Sequence, residues 1–70
     1  MTRKKFVKQI MSTGQDRAAA EFMAKLCQGW REPYAQAWER YKSIMRKHER
    51  LWFIYFLTTR PGAQQGGASK

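Results

Sequence analysis

Ile10-Met11-Ser12-Thr13-Gly14-Gln15-Asp16-Arg17-Ala18-Ala19-Ala20 is the stretch on which the fold turns. Gly14 follows the last residue of an apolar periodicity, where a left-handed helix C-cap needs a residue without a Cβ. Asp16 then offers a carboxylate to the first free amides of a new helix, at the positive end of its dipole. Ala18, Ala19, Ala20 and Glu21 that follow are strong helix formers. A helix therefore stops and another starts within a short link, and the two must be close neighbours.

Upstream of this link, Phe6, Val7, Ile10 and Met11 share one helical face, which predicts a helix over Arg3 to Thr13. Downstream, Ala19, Phe22, Met23, Leu26 and Trp30 make the stripe of the second helix, with Gly29 as its stop. Pro33 opens a third helix, since proline suits a first turn. Along it Tyr34, Trp38, Tyr41, Met45, His48, Trp52 and Tyr55 recur at alternating spacings of four and three. Arg40, Ser43, Arg46, Lys47 and Arg50 occupy the opposite arc. From Leu51 to Leu57 the polar side vanishes, and the aromatic and β-branched residues there would also suit a strand. The chain offers no second strand to pair with, so the helix is extended to Thr59. Residues 60–70 are rich in Gly, Gln and Ala behind Pro61 and predict a disordered tail. The expected fold is all-α: a small three-helix bundle over residues 1–59, with an extended amphipathic third helix and a disordered C-terminal tail.

Seventy residues can make one domain. A core this small gains from a staple, a metal or a partner. One cysteine, Cys27, allows no internal disulfide, and one histidine with one cysteine cannot supply the four ligands of a structural zinc. No cofactor or metal is expected. The remaining aid is a partner. Fourteen Lys and Arg against five Asp and Glu give a net charge of +9, which favours nucleic acid, an acidic protein or an anionic surface. Aromatic content of 14% with a mean hydropathy of −0.75 argues against a chain that is disordered throughout. The basic start Met1-Thr2-Arg3-Lys4-Lys5 is not followed by the apolar stretch of a signal peptide, and Leu51 to Leu57 is too short to span a bilayer. A soluble, cytoplasmic protein is expected.

Catalysis is not expected. His48 and Glu49 are consecutive and on a helix point about 100° apart, so they do not form an acid–base pair. Cys27 reads as a buried, inert thiol, and Gly66-Gly67 lies in the tail with no strand before it and no helix after it. No small-molecule substrate is implied. The cations form two groups, and the candidate phosphate-contacting residues are Arg3, Lys4, Lys5 and Lys8 in the first helix and Arg40, Arg46, Lys47 and Arg50 in the third. A helix-turn-helix reading would present Arg17, Ala18, Glu21, Lys25 and Gln28 to bases, a poor set with one repelling carboxylate. Leu51, Trp52, Phe53, Ile54 and Phe56 exceed what so small a core can cover, and they are the candidate protein interface, for a homodimer or an acidic or apolar protein surface. A membrane-interface helix is not expected over residues 44–60, because Phe53 and Ile54 interrupt its polar side.

The stretch Ile10 to Ala20, with Gly14 between two helices and Arg17 and Ala18 opening the second, resembles the helix–glycine–helix start of ubiquitin-associated (UBA) domains. It is similar as well to the small N-terminal helical domain of elongation factor Ts, and to small basic helical proteins of prophages and mobile elements. The resemblance covers roughly residues 4–45 and implies three-helix packing and a binding module. The family's ubiquitin-contacting loop has an aromatic after the glycine. Here Gln15 holds that place, with Thr13 before the glycine, so no ubiquitin site is implied.

Overall fold

The computed structural model describes residues 1–61. Apart from Arg60 and Pro61, the expected tail lies outside them. Four helices make up the described chain: α1 (Arg3–Ser12), α2 (Arg17–Trp30), α3 (Tyr34–Lys47) and α4 (Trp52–Thr58). The all-α expectation holds. The count of three helices does not, because the extended third helix divides into α3 and α4. No helix among the described residues is long and apolar enough to cross a membrane. The chain divides into two compact units, Met1–Trp38 and Glu39–Lys70.

In the first unit, α1 and α2 pack directly on one another. The Thr2 hydroxyl accepts from the Lys5 amide at 3.2 Å, and the Asp16 carboxylate accepts from the Ala19 amide at 2.8 Å. Both N-termini therefore carry side-chain caps, each contributing about 1 kcal/mol. At the end of α1 the Thr13 and Gly14 amides donate to the Ile10 and Met11 carbonyls, both at 3.0 Å, and Gly14 takes φ 110°. The link between the helices closes as expected. Phe6, Val7 and Ile10 are the buried face of α1, and the Phe6 ring lies 5.3 Å from that of Tyr34.

The register of α2 departs from expectation. Its buried residues are Ala20, Met23, Ala24 and Cys27, whereas Phe22 is exposed and Leu26 and Trp30 are half-buried. Alanines on the inner face let two helix backbones approach closely, so bulk gave way to fit in choosing the packed side. Gly29 does not stop the helix either. The left-handed residue is Arg31, at φ 59° and ψ 34°. The Glu32 amide bonds the Cys27 carbonyl at 2.9 Å and the Arg31 amide bonds that of Gln28 at 3.2 Å, the paired closure of a Schellman motif. Pro33 lies just beyond this closure, and its carbonyl accepts the Ala37 amide at 3.0 Å to begin α3.

In the second unit the chain breaks after Lys47. The His48 amide makes a last bond to Ile44, residues 48–51 turn, and the Tyr55 amide bonds the Leu51 carbonyl at the start of α4. No Gly or Pro marks this turn. Its reason is tertiary: α4 doubles back along α3. Tyr41 and Trp52 would lie roughly 16 Å apart along a straight helix; their rings meet edge-to-face at 5.3 Å. His48 stacks on Tyr55 at 3.8 Å. Arg40 holds the far end. Its Nη1 donates to the Phe56 carbonyl at 2.6 Å and to Thr59 Oγ1 at 2.9 Å, and its guanidinium lies 4.1 Å from the Phe56 ring centroid. Thr59 Oγ1 in turn donates to the Tyr55 carbonyl at 2.7 Å. Extending α3 straight to Thr59 would leave the apolar residues 51–57 in water on all sides; folding back buries Phe56 completely.

Candidate nucleic-acid interface

A groove of about 720 Å³ lies in the first unit, between α1 and α2. Helical spacing builds it. Arg3, Val7 and Met11 follow one another at intervals of four along α1, with Lys4 and Lys8 beside them, and Arg17 and Glu21 at the same interval supply the facing wall from α2. The floor is apolar, from Val7 and Met11. Arg3, Lys4, Lys8 and Arg17 bring positive charge to its rim, against one carboxylate.

That carboxylate is divided between two partners. Glu21 Oε1 lies 3.7 Å from Arg3 Nη2, and Oε2 lies 3.7 Å from Arg17 Nη1. Both separations exceed hydrogen-bond length, and the side chains are exposed enough for solvent to weaken the pairs to between 0 and about 1 kcal/mol each. The guanidiniums keep their donors for an incoming anion. Arg3, Lys4 and Lys5 also fill the first turn of α1, which holds no acidic residue. Cations at the positive end of a helix dipole are mildly destabilising, by a few tenths of a kcal/mol up to about 1 each, and an anion relieves that strain.

Arg3, Lys4 and Lys8 thus come together as one group, joined by Arg17. Lys5 is exposed but lines no part of this groove. Arg17 was legible only as a possible base-reading residue; the signal for its present place was the Asp16 cap, which puts it in the first turn of α2 beside the end of α1.

The cations of the second unit have more varied duties. Arg40 is committed to the end of α4, as described above. Lys42 pairs with Glu39 at 3.1 Å. Arg46, Lys47 and Arg50 are exposed, and Lys47 and Arg50 flank a shallow cleft of about 300 Å³ with His48, Glu49 and Leu51. Of the candidate protein interface, Leu51 and Ile54 are 54% and 55% exposed, and Trp52 and Phe53 are half-buried. Phe56 is fully buried, and so offers no surface. Cys27, in no disulfide, is buried in α2. Among the described residues no three His, Cys, Asp or Glu side chains are grouped to hold a metal ion.

No family model, no curated protein and no solved structure matches this chain.

Proposed function

We propose that the protein is a small, non-enzymatic, cytoplasmic binding module that associates with nucleic acid through phosphate contacts in the α1–α2 groove. One observation carries this reading: Arg3, Lys4, Lys8 and Arg17, from two helices, converge around a single loosely held carboxylate. Each cation that neutralises a phosphate releases a counterion, so affinity falls with salt whatever the sequence. Arg3 and Arg17 would grip phosphate oxygens with two donors each, whereas Lys4 and Lys8 act as point charges. The resemblance of the helix–glycine–helix opening to UBA-like modules supports a non-enzymatic binding module, whatever its partner.

The test is a titration with short duplex DNA and duplex RNA at several salt concentrations. Four contacts predict that log K against log salt has a slope of about −3 to −4. The Lys4→Ala/Lys8→Ala pair should lower that slope by about 2. Affinity that is flat with salt, or unchanged in the pair, sinks the proposal.

A second reading draws on the floor of the same groove. A phosphate chain has no use for Val7 and Met11, whereas an acidic amphipathic protein segment would cover them. It predicts that Met11→Ser weakens binding of such a peptide while leaving duplex affinity intact.

A further inference from the structure

We propose that the second unit docks on an anionic lipid surface, inserting Leu51 and Ile54 into the interfacial layer. These two branched side chains are each more than half exposed and lie three residues apart, on one face of the chain as it enters α4. Leu51 belongs to the turn at which α4 doubles back on α3, and it sits at the edge of the shallow cleft flanked by Lys47 and Arg50. Half-buried Trp52 and Tyr55 stand beside the pair, the two residue types enriched where a bilayer meets water.

Charge selects the occupant. Arg46, Lys47 and Arg50 precede the edge and Arg60 follows it, all exposed, with Glu49 as the acidic residue among residues 46–61. Arg60 also donates to the Leu57 carbonyl at 2.6 Å, which holds its guanidinium near the end of α4. A second copy meeting this edge would press like charges together. An anionic bilayer offers the complement: negative headgroups for the cations and an apolar layer for Leu51 and Ile54. The sequence-based objection to an interfacial helix assumed one continuous helix whose polar side Phe53 and Ile54 interrupt. The break at residues 48–51 removes that assumption.

The experiment is co-flotation of the full chain with vesicles, of phosphatidylcholine alone or with about one-third phosphatidylserine. Each basic residue near such a surface is worth about fivefold in partitioning, so the anionic vesicles should bind at least about tenfold better. Leu51→Ser/Ile54→Ser should remove most of that binding; both positions are exposed, and circular dichroism confirms that the helices persist. The proposal is overturned by no binding, by equal binding to both vesicles, or by binding that survives the serine pair, which is adsorption by charge alone. A light-scattering dimer abolished by the serine pair also overturns it, assigning the edge to a second copy. Lys4→Ala/Lys8→Ala separates this proposal from the nucleic-acid reading. Vesicle binding that vanishes in that pair belongs to the first unit and counts against the edge, whereas vesicle binding that persists while duplex affinity drops supports it.

Discussion

Arg40→Ala is the perturbation that tests most directly how α4 is held. The side chain makes two charge-assisted hydrogen bonds, at 2.6 Å to the Phe56 carbonyl and at 2.9 Å to Thr59 Oγ1, and it covers the Phe56 ring at 4.1 Å. A hydrogen bond to a charged group contributes about 1.5–3 kcal/mol, and a cation–π contact about 0.5–1 at a partly exposed site. The three contacts share one guanidinium and do not add, and water reaches the exposed Thr59 hydroxyl when the arginine is gone. A loss of about 2 kcal/mol follows, chiefly from the Phe56 carbonyl and ring. That corresponds to about a 30-fold larger equilibrium constant for opening of α4. Native-state hydrogen exchange at the Tyr55 and Thr59 amides, whose acceptors are the Leu51 and Tyr55 carbonyls, reads it directly. Arg40→Lys keeps the charge without the planar fork and should restore less than half of the protection. Protection in Arg40→Ala within about threefold of the parent chain would refute the reasoning, because α4 would then be held by burial of Phe56 alone.

Four further outcomes follow from the glycines and the helix ends. Gly14→Ala should lower stability by about 1 kcal/mol, because φ 110° is unfavourable for any residue with a Cβ, although the space around it is open. Gly29→Ala should do the opposite, raising Tm by about 4–8 °C in a thermal melt, since this glycine is helical with open space at its Cβ position. Arg31→Gly removes the left-handed strain at φ 59° and should add about 0.5–1 kcal/mol in urea unfolding; a loss there means that the arginine side chain makes up for its backbone. Asp16→Ala should cost about 1 kcal/mol in the same assay, and Asp16→Asn, which still caps, far less.

The two glycines show how far local reading carries. Both follow an apolar stripe, and both suit a left-handed cap by sequence. At Gly14 the next residues are Gln15 and the capping Asp16, which end one helix and start another by local hydrogen bonds alone. At Gly29 the boundary instead moved two residues on, to Arg31, where Pro33 enforces the stop because it has no amide to continue the ladder. A local rule succeeded where a cap was adjacent and slipped where a stronger breaker lay a few residues beyond.

The candidate groove was partly legible for a related reason. Arg3, Lys4 and Lys8 were already grouped as cations of the first helix, so three of the four rim cations were named from the sequence. Arg17 was not among them, because its closeness to α1 depends on how α2 packs, and that packing chose Ala20 and Ala24 over Phe22 for its inner side. Ranking residues by hydrophobicity favours the largest side chain; close helix approach favours the smallest.

By itself the sequence determined the helical class, the link at Gly14, the Asp16 cap, the buried face of α1 and the basic character of its surface. These rest on backbone preferences and spacings that act within one or two turns. Only the tertiary structure decided the register of α2, the break at residues 48–51, and the employment of Arg40 inside the molecule. The break has no local signal, since residues 48–51 could continue a helix. It forms because Phe56 and Trp52 bury more apolar surface by returning to α3 than by extending into water, and because Arg40 can satisfy a carbonyl sixteen residues away only after the chain has turned.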